Sequence, residues 1–414
     1  MLAMQFLLAC VGVVDLDGGG DNPTRTPPDS GTEDIPGTDT GDPPEDTAED
    51  TGDEPDDYDG LYELDRVNVV EIELSEDAMR LLRRDPKEYV EGNVVVNGER
   101  YEQVGIRLKG SGSFQDLNGK SAFKVDFNRY IPEQSYHGKG KITLNNMLHD
   151  ETQVHEVVAY AAFRAAGQAS ARVGYAWVSV NDEVYGLYSN VETPDRDYLD
   201  RNFGNRDGNL YEGGYPYYPD SYDHADFSAR ETRNFELESG TEVDWADVQA
   251  VTDALVSGDV DGNLEPIVDM DRYAAFQITE AWTGQWDGYA FASNNYRVYF
   301  DHGQTDKMYM VPTGLDYCFT SYGGNLATAR SPLGQKCQND PTCNERFANV
   351  LEPTLDAIDA AELEDLMDST YAMIEPYIDE DPRNYVTTRS TAQAIETMRT
   401  WIRGRSGEVR GWYR

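Results

Sequence analysis

Residues 284–300 read GQWDGYAFASNNYRVYF. This stretch has one acid, Asp287, on a glycine turn, followed by two adjacent amides, Asn294 and Asn295, and a run that alternates like a β-strand. Acids and amides together supply the oxygen atoms that a magnesium–phosphate site requires, but they also build ordinary turns. The stretch leaves both interpretations open, so the residues around it have to decide between them.

A predicted β-hairpin and a second acid follow this stretch. YRVYF predicts a strand, DHGQTD a turn and KMYMVP a returning strand, after which Asp316 lies in GLDYCF. Protein kinases use the same order of parts: a base on a loop, an asparagine for magnesium, a hairpin and a magnesium-binding aspartate. The order therefore favours a phosphoryl-transfer site, although acid-capped hairpins also occur without one.

Two upstream stretches carry further groups that suit a phosphate. IRLKGSGSF has a Gly–Ser turn, with Ser111 and Ser113, whose backbone N–H groups could cradle phosphates; a polar hairpin turn is the alternative. Lys124 follows in the alternating strand SAFKVDF, where a buried ammonium group needs an anionic partner. Glu192, at the end of VYGLYSNVE, is the candidate partner, and a solvated lysine with a surface glutamate is the alternative.

Composition excludes some classes of partner. The chain has 414 residues with 77 acids and 34 bases, giving a formal net charge of −43. Binding to a nucleic-acid backbone or to an anionic membrane surface depends on clustered basic charge, so we expect neither. No segment after the N-terminus offers about 18 uninterrupted apolar residues, so we expect no transmembrane helix.

The N-terminal part differs from the rest of the chain. Residues 1–10 are apolar and end in Cys10, which resembles a bacterial lipoprotein signal with Cys10 as the lipidated residue, although no base precedes the run. A plain apolar N-terminus is the alternative. Residues 11–59 consist mainly of Asp, Glu, Pro, Thr and Gly, which cannot bury enough apolar area to fold, so we expect an acidic disordered linker. Residues 60–414 then form the folded part.

Strands are predicted mainly in the first part of the chain, and helices mainly at 243–257, at 271–283 and in the last sixty residues. Asn97–Gly98 and Asn181–Asp182 each separate two strand patterns and predict hairpins. Residues 200–240 are rich in Tyr, Asp and Gly with weak periodicity, and predict an irregular segment. Strands first, one helix among them, and then helices around one hairpin indicate an α+β domain.

Two sparser patterns concern cysteine and calcium. Cys337 and Cys343 enclose a short loop and are the expected disulfide if the chain is exported, which leaves Cys318 over. DVDGNLE at 259–265 begins like a calcium loop, but Leu264 occupies the position that needs glycine. We therefore expect 259–265 to be a turn that links two helices.

The motifs taken together resemble a known family. The series RLKGSGSF, KSAFKVDF, LNN, NDEVYGLYSNVE, GQWDGYAFASNNYRVYF and VPTGLDYCF is similar to the spore-coat protein H (CotH) kinase-like family of atypical secreted protein kinases. The resemblance covers about residues 64–322, with the motifs in the family's order. It implies an atypical protein-kinase-like α+β fold, with an antiparallel β-rich N-terminal part and a helical C-terminal part.

The resemblance also implies roles for individual residues. Asp287 would be the catalytic acid or base, while Asn295, with Asn294 beside it, and Asp316 would hold the metal. The implied nucleotide-binding residues are Arg107, Ser111, Ser113, Lys124 and Glu192. The implied cofactors are ATP with Mg²⁺ or Mn²⁺. The implied reaction is transfer of the ATP γ-phosphate to Ser or Thr of extracytoplasmic proteins.

One motif departs from the family. The family has Pro-Trp-Asp-x-Asp where this chain has PTGLD, so Thr313 and Gly314 replace an aromatic residue and an acid. This departure keeps open a catalytically inactive, kinase-like surface-binding or structural protein. A calcium-stabilised surface adhesin is a third interpretation. The main prediction, ahead of these two alternatives, is a secreted or envelope-anchored bacterial kinase that contacts the membrane only through a lipid anchor.

Overall fold

The computed structural model describes residues 59–413, except 216–223, 242–243 and 323. The predicted signal segment with Cys10, and the predicted acidic linker up to residue 58, lie outside the described residues. Within the described part, strands dominate the N-terminal half and helices the C-terminal end, as the sequence predicts. No helix among the described residues is long and apolar enough to cross a membrane.

A closed barrel of seven strands forms the N-terminal half. The strands are β1 Val67–Glu73, β2 Val90–Val96, β3 Glu99–Lys109, β4 Ala122–Asp126, β5 Lys141–Asn145, β6 Val173–Val180 and β7 Glu183–Val191. Their order around the barrel is β1-β2-β3-β4-β5-β7-β6. Alternate apolar residues such as Val70, Ile72, Ile106 and Val125 fill the interior, as closure of a small barrel requires.

The expectation of an antiparallel N-terminal part needs one correction. Six of the seven strand contacts in the barrel are antiparallel, but β1 pairs in parallel with β6 and thereby closes the barrel. The two predicted hairpins are confirmed. Asn97, Gly98, Asn181 and Asp182 all have positive φ, as the tight turns between twisted antiparallel strands require.

A second sheet of four strands follows the barrel in the chain. It consists of β8 Asn209–Glu212, β9 Glu236–Ser239, β10 Tyr296–Phe300 and β11 Met308–Pro312, in the order β11-β10-β8-β9. The hairpin β10–β11 was predicted. The prediction of an irregular segment at 200–240 is wrong for β8 and β9, because strands of four residues are too short to show a periodic pattern.

Ten α-helices complete the described part. They are α1 Glu76–Arg84, α2 His155–Ala165, α3 Arg196–Phe203, α4 Ala246–Ser257, α5 Met270–Thr283, α6 Tyr289–Ala292, α7 Pro332–Gln338, α8 Pro341–Asp359, α9 Leu363–Ile378 and α10 Thr388–Trp412. Helix α5 is buried along almost its whole length, with only Asp271 and Arg272 outside its set of buried residues. Gly284 caps the C-terminus of α5, so this buried helix is followed directly by the loop that carries Asp287.

The disulfide and the short segment 259–265 both link neighbouring helices. Cys337 and Cys343 form a disulfide between α7 and α8, and Cys318 is a buried free thiol. Residues Val260–Leu264 form a single π-helical turn between α4 and α5, and Asp261 within it pairs with Arg346 at 3.4 Å. The expectation of a helix-linking turn is confirmed.

A buried ion pair joins the barrel to the C-terminal helices. Lys120, just before β4, donates to Asp381 at 2.6 Å, and neither side chain is exposed. Asp381 also accepts from the backbone N–H of Leu187 in β7, at 2.9 Å. Gly186 lies so close that a side chain there would collide with the Asp381 carboxylate. The segment between α9 and α10 is thus anchored in the barrel through a fully buried charge pair.

We predict that Asp381→Ala lowers the free energy of unfolding by about 3–5 kcal/mol, because it leaves the Lys120 ammonium buried without its carboxylate. Urea denaturation of the full chain measures this loss. The matched control is Glu183→Ala, which removes a largely exposed partner of Arg383 in the same region and should cost less than about 1 kcal/mol. Equal losses in the two variants would contradict the assignment.

Candidate active site

Asp287 lies between the two amides that follow it in the sequence. The Asn294 side-chain nitrogen donates to Asp287 Oδ1 at 3.2 Å, and the Asn295 nitrogen donates to Asp287 Oδ2 at 2.9 Å. Both hydrogen bonds use the side-chain nitrogen. The side-chain oxygen of Asn295 accepts from no donor among the described residues. Burial raises the pKa of Asp287, and the charge of nearby Asp316 raises it further, while the hydrogen bonds from the two amides lower it in part. The adjacent asparagines thus fix the orientation of a partly buried carboxyl group.

The backbone at this place is held in an unusual conformation. Asn295 has φ 46° and Gly314 has φ 62°, both in the left-handed region. A β-carbon at position 314 would lie 2.8 Å from the Asn295 side chain. Glycine is therefore required at 314 as long as Asn295 keeps this position, which gives a structural reason for the missing acid in PTGLD.

Asp316 approaches Asp287 from the end of the hairpin. It lies in the short 3-10 turn Leu315–Tyr317 after β11 and is half-buried. Its backbone oxygen contacts His155 Nδ1 at 2.9 Å, at the first residue of α2. The buried Asp150 accepts the backbone N–H of His155 at 2.7 Å and so fixes the start of this helix. Among the described residues, no donor bonds to the Asp316 carboxylate.

Four residues to which the sequence motifs gave no role complete the cluster, namely Glu156, Asn145, Ser189 and Lys109. Glu156 in α2 is buried and accepts from Asn145 at 2.8 Å and from Ser189 at 2.5 Å. Lys109, at the end of β3, donates to the Asn145 oxygen. Burial and the neighbouring Asp316 raise the pKa of Glu156 to about 7. The chain therefore brings Asp287, Asp316 and Glu156 into one charged cluster with Lys109.

The predicted pairing of Lys124 with Glu192 is wrong. Glu192 is buried and pairs with Arg172 at 2.9 Å and with Arg201. The reason is topological: β4, which holds Lys124, borders β3 and β5, whereas Glu192 follows β7 on the far side of β5. A pattern of alternation along each strand does not reveal which strands are neighbours.

Lys124 faces the second sheet instead. Burial lowers its pKa to about 8, and the negative charge of Glu238 in β9 partly opposes this shift. Arg297 of β10 lies in the same group and donates to Glu212 of β8 at 3.0 Å. The carboxylates of Glu212, Glu236 and Glu238 approach one another within 4.8 Å. This second charged group thus contains Lys124 and Arg297 as well as its three acids.

The Gly–Ser turn follows directly after Lys109, the last residue of β3. Gly110 has φ 99° and its carbonyl accepts from Lys87, while Ser111 is exposed. The backbone oxygen of Ser113, which is half-buried, accepts from Asn146 at 2.9 Å. Burial, and then repulsion from Arg107 and Lys109, lowers the pKa of Lys87 to about 8. Lys87, Arg107 and Lys109 are thus close enough beside the turn to repel one another.

A group of aromatic rings lies next to the two acid-bearing loops. Tyr317 stacks on His149 with ring centres 5.0 Å apart, and Trp286 meets Tyr317 edge-on at 5.4 Å. Tyr322, which is 62% exposed, lies edge-on to Trp286 at 4.4 Å. A β-carbon on Gly112 would lie 4.0 Å from His149, so the Gly–Ser turn borders this aromatic group. The aromatic group lies beside both Asp287 and Asp316 in the chain.

Glu280 supports the loop that carries Asp287 from inside the core. Its carboxyl accepts the backbone N–H groups of Tyr289 at 2.7 Å and Ala290 at 2.9 Å, at the start of α6. Gly288 packs directly against it, with no room for a side chain. No cation among the described residues pairs with this group, and burial raises the pKa of Glu280 to about 8.

We predict a pH dependence of stability from Glu280. The pKa of Glu280 in the folded state, about 8, exceeds the ordinary value of 4.5, so the folded state holds the proton more tightly than the unfolded state. The resulting stabilisation is complete below pH 4.5 and is lost as the pH rises towards 8. The melting temperature of Glu280→Gln should therefore fall less between pH 5 and pH 8 than that of the wild type. Scanning calorimetry at both pH values measures the difference.

The matched control for this prediction is Glu364→Gln. Arg403 and Arg399 lower the pKa of Glu364 to about 2, so this group does not titrate between pH 5 and pH 8. Its variant should keep the wild-type pH slope. An unchanged slope in Glu280→Gln would show that Glu280 holds no extra proton in the folded state.

Comparisons with known proteins agree with the sequence motifs. The family described as CotH kinase protein matches residues 106–409. The inner spore coat protein H of Bacillus subtilis is 24% identical over 312 residues, which cover 69% of this chain and 80% of that protein. The invasin CotH3 of Rhizopus delemar is 24% identical over 199 residues, and the invasin CotH2 of the same fungus 22% identical over 270 residues. These regions cover 44% and 59% of this chain, but 32% and 43% of the fungal proteins. The chain therefore belongs to the CotH kinase protein family.

Proposed function

We propose that this protein is an atypical protein kinase that transfers the γ-phosphate of ATP to Ser or Thr hydroxyls of extracytoplasmic proteins. One observation carries the proposal: Asp287, held by the amides of Asn294 and Asn295, shares a half-buried cluster with Asp316, Glu156 and Lys109. Membership in the CotH kinase protein family supports the same reaction.

The acids of the cluster fit a divalent cation. Burial, and then repulsion from Asp316, raises the pKa values of Asp287 and Glu156, and no described donor bonds to the Asp316 carboxylate. Mg²⁺ prefers one or two carboxylates and amide oxygens, with substrate phosphates in the remaining positions. Asn295, through its side-chain oxygen, and Asp316 would hold Mg²⁺ or Mn²⁺, which would neutralise charge on the phosphates.

Asp287 is the residue that would act on the acceptor hydroxyl. A partly buried carboxylate within hydrogen-bond reach of the hydroxyl orients it and accepts its proton during transfer. The hydrogen bonds from the two side-chain amides hold the Asp287 carboxylate in one orientation, so little rearrangement is needed when the acceptor binds. This arrangement supports Asp287 as the base.

Lys109 is the better candidate than Lys124 for the main phosphate contact. It belongs to the cluster of Glu156 and Asp316, and Asn145 bridges it to Glu156. Arg107, Ser111 and Ser113 remain proposed nucleotide contacts beside it. The pairing of Glu192 with two arginines argues for a structural role of Glu192 in the barrel.

The fold and the cellular location complete the proposal. Lys109 at the end of a barrel strand and Glu156 in a helix, linked through Asn145, support a protein-kinase-like fold, in which a strand lysine pairs with a helix glutamate. Similarity to a spore coat protein supports an extracytoplasmic, envelope-bound or secreted bacterial protein. Lipidation of Cys10, followed by the acidic linker, would anchor the domain at a membrane surface.

A second candidate function is a kinase-like surface-binding protein without turnover. Thr313 and Gly314 favour it, because they remove an aromatic residue and an acid that the family's motif contains. The two candidates differ in one measurable property, which is transfer of phosphate.

We predict that the full chain transfers phosphate from labelled ATP to a serine-rich acceptor in the presence of Mg²⁺ or Mn²⁺. Asp287→Asn and Asp316→Asn should each lower the rate by about 10²–10⁴-fold, since each removes a charge needed in the transition state. Asp306→Asn, in the turn between β10 and β11, is the control and should keep the wild-type rate. No transfer, with no binding of ATP by calorimetry, would favour the binding protein.

We further predict that Lys109→Met lowers kcat/KM for ATP more strongly than Lys124→Met. Only Lys109 belongs to the Glu156–Asp316 group, whereas the neighbours of Lys124 are Glu238 and Arg297. Steady-state kinetics with varied ATP measure both variants. A larger loss in Lys124→Met would reverse the assignment of the two lysines.

A further inference from the structure

One buried glutamine connects the loops of Asp287 and Asp316. Gln285 is 2% exposed and follows directly after the glycine that ends α5. Its side-chain nitrogen donates to the backbone oxygen of Gly314 at 2.9 Å and to that of Thr313 at 3.3 Å. Its side-chain oxygen accepts from Cys318 Sγ at 3.6 Å. The three contacts lie on both sides of Asp316 in the chain.

The backbone of Gln285 is fixed in the loop of Asp287. Its N–H donates to the carbonyl of Glu280 at 2.9 Å, and its carbonyl accepts from Gly288 at 3.2 Å. Asp287 lies between Gln285 and Gly288, so these bonds close a tight turn around it. Gln285 therefore holds one acid through its backbone and the segment of the other acid through its side chain.

We propose that Gln285 is a positioning residue that sets the separation between Asp287 and Asp316. An amide is suited to this role because its nitrogen can bond to two carbonyl groups while its oxygen accepts a weak donor. The catalytic consequence rests on the proposed kinase function, but the structural consequence does not. A side chain of the same size without donors would leave the carbonyls of Thr313 and Gly314 without their partner, and both loops would become less restrained.

The same helix region supplies a matched control. Gln277 in α5 is 1% exposed and also bonds through its side chain to a loop carbonyl, that of Ala327, at 3.5 Å. Its oxygen accepts from Tyr273 at 3.2 Å. None of these contacts involves the segments of Asp287 or Asp316. Gln277→Met thus reproduces the loss of a buried amide without affecting the connection between the two acids.

Hydrogen–deuterium exchange of the full chain tests the connection without reference to activity. We expect Gln285→Met to accelerate exchange in peptides that cover 286–295 and 313–319, relative to wild type. Gln277→Met should leave exchange in both segments unchanged. Wild-type exchange in the two segments of Gln285→Met would overturn the proposal.

Kinetics then test the consequence for the reaction. We expect Gln285→Met to lower kcat by about 10–100-fold with a smaller change in KM for ATP, because a displacement of about 1 Å at reacting groups costs up to 10²-fold. Gln277→Met should keep the wild-type kcat. A wild-type kcat in Gln285→Met, despite faster exchange, would overturn the positioning role. If the wild type itself transfers no phosphate, the kinase function fails, while the exchange result still decides whether Gln285 restrains the two loops.

Discussion

The site depends on how the fold accommodates three carboxyl groups, Asp287, Glu156 and Asp316, with one lysine, Lys109, beside them. Carboxylates that are gathered away from water raise the free energy of the folded state unless donors, cations or protons compensate them. Amide and hydroxyl donors surround Asp287 and Glu156, whereas Asp316 has no such donor among the described residues. The negative charge of the cluster is therefore only partly compensated by the described residues, and a bound divalent cation would compensate the rest.

The local part of the site could be predicted from the sequence. Asp287, the two asparagines and Asp316 lie around one hairpin, whose turn and alternation identify its strands, so their proximity follows from short-range structure. The partners of Lys109 and Lys124 could not be predicted, because they depend on the strand order β4-β5-β7 and on the second sheet. Closure of the barrel through the parallel contact of β1 with β6 is likewise a long-range property.

The departure at PTGLD has a physical explanation in this chain. Gly314 lies against Asn295 in a left-handed conformation, so an acid at 314 would displace the amide that orients Asp287. The chain thus combines a missing acid with a tightly packed Asn295. The change is compatible with a site that has fewer metal ligands than the family's motif provides, and equally with a protein that binds without turnover.

The central claim is that the cluster of Asn295 and Asp316 holds the metal. The most direct measurement is a crystal structure of the protein grown with Mn²⁺ and a non-hydrolysable ATP analogue, with anomalous diffraction to locate manganese. The account predicts a manganese ion bonded to Asn295 Oδ1 and the Asp316 carboxylate, beside the phosphates. A nucleotide-bound structure with manganese only at Glu212, Glu236 and Glu238, or with no manganese, would contradict it.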